Sequence, residues 1–198
     1  MRRRKGLFQI IDDQSVATMS QMKRSLIRIN EKHAFRRWQA LTSIDVFSGI
    51  FIDVPVDYYK TQEWCKSIGS VKNRVDFAFE QDGLAIGFGG LVNIESRHGV
   101  AEMYIFIHPD SMGHGYGSYF LNAMLAFGKY ELNLRKVSLF VTSADHQIIE
   151  FYKKNKFLIE GILKDHIWFR GRYTDRYIMS MFLVELSVDS AEFYGSMI

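Results

Sequence analysis

A short glycine-rich segment constrains this chain more than any other part of its sequence. Residues 108–118 read HPDSMGHGYGS, and three glycines alternate with other residues at 113–117. The apolar run AEMYIFI at 101–107 has the character of a strand, and SYFLNAMLAFGKYEL at 118–132 has that of a helix. Glycines permit tight turns and expose backbone N–H groups, and a helix N-terminus adds partial positive charge. The segment therefore predicts a phosphate-binding loop, with a flexible strand-to-helix connection as the alternative.

The spacing of these glycines separates the loop from two common nucleotide-binding motifs. A Walker loop needs Gly-Lys-Ser/Thr, which the sequence does not contain. A dinucleotide-binding fold needs GxGxxG early in a strand–helix–strand unit, whereas this loop reads GxGxG after four strand-like segments. A phosphate bound by this loop would therefore belong to a cofactor that is held by neither of these two motifs.

A second set of ordered features follows the loop. The loop aligns as Met112 to Gly117; a strand-like run comes next, then Asp145, and seven residues later Tyr152 lies in a helix-like run that ends at 155–157. This order resembles the C-terminal half of the GNAT superfamily of N-acetyltransferases, whose loop pattern at the acetyl-CoA pyrophosphate is Arg/Gln-x-x-Gly-x-Gly/Ala. The ending GRYTDRYIMSMF resembles the branch that contains spermidine, ribosomal-protein N-terminal and nucleotide-amino-sugar N-acetyltransferases.

The resemblance extends over residues 25–183 and implies an α/β (α+β) GNAT fold. That fold is a mixed, mostly antiparallel sheet with splayed central strands and helices on both faces. The order of predicted elements, a strand meander followed by β–α–β–α–β–β, agrees with such a sheet. We expect a GNAT acetyltransferase domain at 23–185, an N-terminal extension at 1–22 and a C-terminal tail at 186–198.

Hydrophobic periodicity predicts the individual elements. RVDFAFE alternates so that Val75, Phe77 and Phe79 share one face, and Gln-Asp-Gly at 81–83 predicts a hairpin turn. A long C-terminal hairpin is expected to turn at Gly171. The predicted helices are 31–43, 56–69, 118–132 and 145–155. The predicted strands are 7–11, 25–30, 74–80, 84–94, 101–107 and 136–142, with a loop at 47–55.

Composition limits the classes of protein to which this chain can belong. Of its 198 residues 47% are hydrophobic and two are proline, which suits one compact domain rather than a disordered chain. No apolar run is long enough to predict a membrane span, and the N-terminal segment lacks the apolar region and cleavage site of a signal peptide. Cys65 is the single cysteine, so no intrachain disulfide is expected. We expect a cytoplasmic protein, and the net charge of +3 is too small to indicate nucleic-acid binding.

The resemblance implies acetyl-CoA as the cofactor. Its pyrophosphate would bind backbone N–H groups of the glycine loop, and its pantetheine arm would lie along the strand at 101–107, pairing near Ile105 and Ile107. A bulge is expected to leave that strand edge open. The residues implied in acetyl-CoA binding are Ile105, Phe106, Ile107, Met112, Gly113, His114, Gly115, Tyr116, Gly117, Ser118, Asp145 and Tyr152.

Three positions depart from the family pattern. Met112 replaces the usual Arg or Gln, and Lys156 stands where Gly is usual. Because phosphate binding in the family relies largely on backbone N–H groups, these two changes have little bearing on the expected binding of the cofactor phosphate. Asp145 replaces the usual Asn, and a carboxylate cannot donate a hydrogen bond as an amide does; it is expected to cap the following helix instead. His114, between the glycines, is either a weak phosphate contact or a solvent-facing spacer.

Two side chains are the catalytic candidates. Tyr152 matches the family's acid and would protonate the leaving thiolate, because a phenol has a pKa of about 10, close to that of a thiol in a dry site; the alternative is a core aromatic beside Ile148. Glu102 shares one face of its strand with Tyr104 and Phe106. Burial of a carboxylate among aromatic side chains is costly unless it has a functional role or a partner. Glu102 is either the base that deprotonates the amine or an anchor for a cationic substrate.

The acceptor site is expected near the first two helices. Arg36, Arg37 and Trp38 lie on a helix that commonly walls this site in the family. An arginine pair there would suit an anionic acceptor such as a nucleotide sugar, whereas a solvated face is the simpler interpretation. The second helix carries residues that would suit a polyamine, namely Asp57, Tyr58, Glu63 and Trp64. The histidines show no shared metal-ligand spacing, so no metal is predicted.

These features together predict an acetyl-CoA-dependent N-acetyltransferase that acts on a primary amine of a small molecule. Nucleotide-linked amino sugars and polyamines are the leading acceptors, and a protein N-terminal amine is the enzymatic alternative. A non-catalytic acyl-CoA-binding regulatory domain is the rival from another class, although it would need neither Tyr152 nor Glu102. An RNA-binding module is disfavoured because a basic aromatic motif is missing. We expect no nucleic-acid or membrane partner, and we keep a homodimer as a hypothesis.

Overall fold

The computed structural model describes residues 23–47, 50, 56–169 and 171–185 of the chain. The predictions that fall outside these residues are the strand at 7–11, the extension at 1–22, the tail at 186–198 and most of the loop at 47–55. No helix within the described ranges is long and apolar enough to cross a bilayer.

The described strands form one seven-stranded sheet in the order β1-β2-β3-β4-β5-β7-β6. They are β1 (Arg24–Arg28), β2 (Val75–Gln81), β3 (Leu84–Glu95), β4 (Val100–Ile107), β5 (Lys136–Thr142), β6 (Leu158–Phe169) and β7 (Arg172–Phe182). All neighbouring strands pair antiparallel except β4 and β5, which run parallel. The predicted mixed, mostly antiparallel sheet is therefore confirmed, and its order places β4 and β5 near the centre.

Helices pack on both faces of this sheet. Those within the described ranges are α1 (Ala34–Thr42), α2 (Ile44–Phe47), α3 (Tyr58–Ser67), α4 (Tyr116–Tyr130) and α5 (His146–Lys154). A 3-10 turn capped by the Asn30 side chain precedes α1, and the Asp57 carboxylate caps α3 by accepting a backbone N–H at 2.8 Å. The helices predicted at 31–43 and 56–69 are confirmed to within their end turns. The periodicity did not predict α2, which is only four residues long.

Apolar side chains fill a separate core on each face of the sheet. On the α4/α5 face, Phe120 and its neighbours from α4 pack against the strands. On the α1/α3 face, Cys65 and Phe88 lie in a second buried cluster. The two cores divide β4 between them, because Met103 belongs to the first and Phe106 to the second. The predicted alternation along this strand is therefore confirmed.

The predicted apolar face of β2 packs as expected, but its other face is buried too. Val75, Phe77 and Phe79 belong to the core of the α4/α5 face. Asp76 and Glu80, on the opposite side, are each only 5% exposed. Buried carboxylates need partners to offset the loss of hydration, so the α1/α3 face must supply basic groups to both.

Glu80 obtains its partners from the turn before α1. Its Oε1 atom lies 2.9 Å from Lys32 Nζ and 2.8 Å from His33 Nε2. Burial lowers the pKa of His33. Burial alone would raise the pKa of Glu80, but the hydrogen bonds from His33 and Lys32 outweigh it and lower that pKa. The contact anchors α1 to the sheet and so fixes the helix that carries Arg37.

The two central strands separate after a short paired stretch. β4 and β5 pair over only three positions, the last being Glu102 with Ser138. Beyond this point residues 103–107 of β4 keep their antiparallel partners in β3 but have none in β5. The splay implied by the resemblance is confirmed, and it leaves one edge of β4 open toward the space between the strands.

Candidate active site

The glycine loop leads directly into α4, which begins at Tyr116 and not at 118 as predicted. Gly113 and Gly115 adopt left-handed conformations with φ of 80° and 77°. A residue with a Cβ is strained in this region, so the loop geometry favours glycine at both positions. The first N–H groups of a helix have no intrahelical acceptors. The loop therefore presents the amides around Gly117 and the positive end of α4 to an anion.

Gly117 and Ser118 join the start of α4 to α5. A Cβ atom at Gly117 would lie 3.4 Å from two carbons of the Phe151 ring, so the ring packs directly on the helix backbone. The Asn155 side chain donates to Ser118 Oγ at 3.2 Å and to the Phe151 carbonyl at 2.8 Å. The sequence patterns did not single out Asn155, because nothing in the spacing shows which residue bridges two helices.

His114 folds back onto its own loop. Its Nδ1 atom lies 2.8 Å from the Met112 carbonyl oxygen, and its ring stacks on Tyr116 at a centroid distance of 5.7 Å. The side chain is exposed at the tip of the loop. The contacts give His114 a role in shaping the loop, and the predicted phosphate contact stays a prediction.

A cavity of about 630 Å³ follows the gap between the splayed strands. It is lined by Ile105, Phe106 and Ile107 of β4, and it extends to Met112 and Gly117 at the glycine loop. The predicted placement of the cofactor along the free edge of β4 thus agrees with a continuous path from this edge to the loop.

The expected bulge lies one strand away from the cleft. The register shift is in β3, between Val92 and Glu95, where Asn93 has a positive φ of 49°. The prediction that a bulge opens the edge of β4 is wrong, because residues 103–107 of β4 pair with β3 without a register shift. Divergence of the parallel pair after Glu102 and Ser138 leaves the edge open instead.

Glu102 occupies the vertex at which the central strands part. It is half-buried, lines the cavity and pairs with Val92 on one side and Ser138 on the other. Arg176 of β7 lines the same cavity: burial lowers the pKa of Arg176, and the negative charge of Glu102 opposes that change. The structure therefore places the predicted base or anchor where it reaches the cavity rather than inside either core.

Tyr152 lies on α5 on the opposite side of the same cavity. It is 7% exposed, lines the cavity with Ile148, and packs edge-on and tilted against Phe151 and Phe157. Burial, with a smaller contribution from Asp145, raises the pKa of Tyr152 well above that of a free phenol. Both interpretations of this residue have structural support, because it belongs to the core and also faces the cavity.

Asp145 caps α5, as the sequence analysis anticipated. Its Oδ1 atom accepts the Ile148 N–H at 3.1 Å, and the residue also lines the cavity. α5 ends in a Schellman motif. The Lys156 N–H donates to the Lys153 carbonyl, and the Phe157 N–H donates to the Tyr152 carbonyl. This arrangement requires a left-handed residue at position 156, and Lys156 adopts φ of 66° where the family has Gly.

The predicted arginine pair on α1 is divided between two environments. Arg36 Nη1 pairs with Asp110 Oδ2 at 3.1 Å, and its Nε donates to the Ala85 carbonyl, away from the cleft. Arg37 is buried and lines the cavity. Trp38 donates its indole N–H to the Val56 carbonyl at 3.0 Å. The interpretation of this face as solvated is therefore wrong for Arg37.

Only one of the four polyamine candidates on the second helix lines the cavity. Trp64 does so, and its ring lies 4.1 Å from the guanidinium carbon of Arg37. Asp57 is used as the cap of α3, and Glu63 pairs with Lys66 at 3.0 Å. Tyr58 packs into an aromatic group around α1. The described contacts thus assign structural partners to three of the candidates.

A charged network that the sequence analysis missed forms one wall of the cavity. Asp76 accepts two hydrogen bonds from Arg74, at 2.7 and 2.8 Å, and one from the Tyr104 hydroxyl. Asp76 and Tyr104 belong to β2 and β4 and meet across Gly90 of β3, which is paired with both. A Cβ at Gly90 would lie 2.7 Å from Asp76 Oδ1 and 2.8 Å from the Tyr104 ring, so only glycine lets these side chains touch.

The splayed parallel pair and the glycine loop ahead of α4 are the two features that the resemblance to acetyl-CoA-dependent transferases implied. A model of the acetyltransferase (GNAT) domain matches residues 18–158. The chain belongs to the GNAT acetyltransferase family, as the resemblance in its sequence indicated.

Two curated relatives illustrate where the similarity lies. The spermidine N(1)-acetyltransferase of Escherichia coli strain K12 is 32% identical over 106 residues, which cover 54% of this chain and 57% of that enzyme. An uncharacterized N-acetyltransferase of Methanocaldococcus jannaschii is 32% identical over 123 residues, which cover 57% of this chain and 53% of that protein. The chain therefore spans about half the length of the curated relatives it matches.

Solved structures show the same fold over a larger part of the chain. The spermidine N-acetyltransferase of Vibrio cholerae in complex with CoA and spermine has a TM-score of 0.77 and 23% identity, covering 82% of this chain and 97% of that one. A dodecameric structure of that enzyme has a TM-score of 0.71 and 22% identity, covering 82% of this chain and 95% of that one. At these identities the likeness establishes the fold.

Proposed function

We propose that this protein is an acetyl-CoA-dependent N-acetyltransferase that acetylates a primary amine of a small molecule. One observation carries the proposal: Glu102 and Tyr152 line a single cavity that also reaches the glycine loop at Met112 and Gly117. A base candidate, an acid candidate and a phosphate-binding loop are thus arranged along one continuous space.

The residues present fit acetyl-CoA. The left-handed conformations of Gly113 and Gly115 turn the amides at the start of α4 outward, where they would hold the pyrophosphate. The unpaired edge of β4 at 103–107 offers backbone groups that would pair with the pantetheine amides, as an added strand would. Bound there, acetyl-CoA would supply a thioester that is already activated, so the protein has to position it and move protons.

Glu102 is the proposed base. An alkylammonium group has a pKa of about 10, so it must lose a proton before its nitrogen can attack. A carboxylate at the vertex can accept that proton directly or through a water molecule. Arg176 lines the same cavity, and its positive charge interacts with the negative charge of Glu102. The alternative is that Glu102 only binds the cationic amine. In that case its removal should raise KM and leave kcat unchanged.

Tyr152 is the proposed acid. Burial raises the pKa of its phenol, so the hydroxyl keeps its proton at any physiological pH. A thiolate released in the same apolar cavity loses hydration as well, and its own affinity for a proton rises in parallel. The hydroxyl of Tyr152 can therefore donate to the departing sulfur even though it is a weak acid in water.

The names of the relatives support a polyamine as one acceptor class, because two of the enzymes to which this chain is similar are spermidine acetyltransferases. A nucleotide-linked amino sugar stays a second hypothesis and a protein N-terminal amine a third. A non-catalytic acyl-CoA-binding domain would explain the glycine loop but gives Glu102 no task at the vertex. We keep cytoplasmic localisation and a homodimer as expectations.

A screen for acetyl-CoA-dependent thiol release across amines tests the proposal. The panel contains diamines, polyamines, amino acids, amino sugars and a peptide N-terminus, and mass spectrometry identifies the acetylated product. We expect turnover with at least one small primary amine and none with the matching tertiary amine. Acetyl-CoA binding by calorimetry without turnover of any member would favour the regulatory domain.

A further inference from the structure

Arg37 combines deep burial with a hydrogen-bond donor that has no partner in the described part of the chain. Only 8% of the residue is exposed, and it lines the cavity that contains Glu102. Its Nη2 atom lies 3.5 Å from the Tyr104 hydroxyl, whereas Nη1 is buried with no partner among the described residues. A charged donor removed from water is costly when it stays unpaired. The burial of Nη1 is therefore best explained by a ligand that accepts from it.

The Arg37 guanidinium makes no direct contact with a carboxylate among the described residues. Arg37 and Arg74 face one carboxylate, Asp76, and Arg74 occupies both of its oxygens. Tyr104, which donates to the same carboxylate, stays neutral because burial raises its pKa. Arg37 is therefore left without a carboxylate that accepts a hydrogen bond from it in the part of the chain that the structure describes, although Glu102 and the exposed Asp45 line the same cavity.

The guanidinium of Arg37 is held in place by aromatic rings. Its central carbon lies 4.1 Å from the Trp64 ring, 5.2 Å from the Phe106 ring and 5.8 Å from the Tyr104 ring. These contacts stabilise the cation and fix its plane without using its N–H donors. A planar guanidinium with a fixed orientation is suited to bind carboxylate or phosphate oxygens.

We infer that the amine acceptor carries an anionic oxygen group, a carboxylate or a phosphate, which binds Arg37 while the amine lies at Glu102. The inference rests on the proposed function and adds the chemical class of its acceptor. A polyamine would instead bring a second ammonium toward the Arg37 guanidinium, where it has no lone pair to accept from Nη1 and the two like charges repel.

The spacing along β4 limits the length of such an acceptor. Glu102, Tyr104 and Phe106 lie on one face of the strand, where residues two apart are separated by about 7 Å. Arg37 lies over Tyr104 and Phe106. An amine at Glu102 and an anion at Arg37 are then on the order of 7–10 Å apart. This distance suits an ω-amino acid such as 6-aminohexanoate and excludes an α-amino acid that reacts at its α-amine.

The test compares wild-type kcat/KM for acceptors that differ only at the end remote from the amine. We expect 6-aminohexanoate to exceed its neutral amide and hexane-1,6-diamine by roughly 10- to 100-fold, the range for one buried charge-assisted hydrogen bond. The pair of 5-aminopentyl phosphate and 5-aminopentanol separates phosphate from carboxylate recognition. Preference for the diamine over both anionic acceptors would overturn the inference and leave the proposed function intact.

Variants of Arg37 assign the preference to this residue. Arg37→Gln should reduce the ratio of 6-aminohexanoate to its amide to about one, and Arg37→Lys should restore part of it. Arg36→Gln is the matched control, because Arg36 is the next residue on α1 and pairs with Asp110 outside the cleft; its ratio should be unchanged. A purely structural Arg37 would lower activity toward all acceptors alike, which would contradict the inference.

Calorimetry separates failure of this inference from failure of the proposed function. We expect 6-aminohexanoate to bind the protein–CoA complex more tightly than hexane-1,6-diamine, whether or not turnover follows. If no amine is acetylated but this binding order holds, the proposed function fails and the anion site stands. If both compounds bind equally, the anion site is wrong.

Discussion

The two sides of the cavity use different means of recognition. On the α4/α5 side the surface is built from backbone amides, glycines and rings, with Gly117 packed against Phe151. On the α1/α3 side it is built from buried charges, with Arg37 beside the Arg74–Asp76 pair. Backbone donors bind the same group whatever the neighbouring side chains are, whereas charged side chains determine which ligand fits. The first side is therefore suited to a common cofactor and the second to a particular acceptor.

This difference explains why departures from the family pattern are tolerated on the first side. Met112 lines the cavity in place of Arg or Gln, yet the left-handed glycines still direct the loop amides. On the second side a single added methyl group at Gly90 would separate Asp76 from Tyr104. The two sides should therefore respond differently to substitution.

The largest effect is expected from removal of one oxygen on the cofactor side. Tyr152→Phe keeps the ring and its packing, so the free energy of unfolding should change by only about 1 kcal/mol. Turnover should fall by roughly 10²–10⁴-fold if protonation of the thiolate limits the rate. Measurement of kcat beside the melting temperature decides the role. Tyr130→Phe, at the exposed end of α4, is the control. Full activity of the Tyr152 variant would show that Tyr152 is a core aromatic and not the acid.

The next effect tests whether the acceptor side depends on close contact. Gly90→Ala places a methyl group against Asp76 and Tyr104, so we expect a loss of at least about 2 kcal/mol in the free energy of unfolding. Gly161→Ala in β6 is the matched control, because a Cβ there has no neighbour within 4 Å. Chemical denaturation measures both. Equal stability of the two variants would show that the network does not need Gly90.

Loss of the loop geometry should weaken cofactor binding. Gly115→Val forces a β-branched residue into φ of 77°, which misdirects the loop amides, and acetyl-CoA affinity should fall on the order of 100-fold. Gly171→Val is a control with equal backbone strain, since Gly171 has φ of 80° in the turn between β6 and β7. Calorimetry should show unchanged acetyl-CoA affinity for the control. A matching loss in both variants would point to global destabilisation.

The smallest effect concerns the end of α5. Lys156→Gly relieves a left-handed lysine and should raise the free energy of unfolding by roughly 0.5–1 kcal/mol, without changing kcat. Asn133→Gly offers a comparison, because Asn133 also has a positive φ but asparagine tolerates it better. A destabilised Lys156→Gly variant would mean that this lysine contributes contacts that outweigh its strain.

Periodicity and local motifs anticipated the parts of the fold that depend on nearby residues. The alternation of β4, the cap at Asp145 and the glycine loop each arise within a few positions of the chain. The start of α4 was misplaced by two residues because Tyr116 and Gly117 read as loop residues in the sequence, although their N–H groups already belong to the first helical turn.

The acceptor side could not be predicted because its contacts join distant strands. Asp76 meets Tyr104 only because β2 and β4 flank β3 at Gly90. Arg36 and Arg37 are adjacent in the chain but point in directions about 100° apart on a helix, so the sequence cannot tell which one faces the cavity. An acid within an apolar strand, Asp76, was the signal that a buried partner was needed.

The central claim is that chemistry occurs at the vertex of the splayed strands, and Glu102→Gln tests it most directly. The substitution keeps the shape of the side chain and removes its ability to accept a proton as a carboxylate. With the best acceptor from the amine screen, kcat should fall by roughly 10²–10⁴-fold and the acidic limb of the pH–rate profile should disappear, while acetyl-CoA affinity is unchanged. An increase in KM at constant kcat would make Glu102 an anchor. A variant with the full activity and pH profile of the wild type would contradict the account.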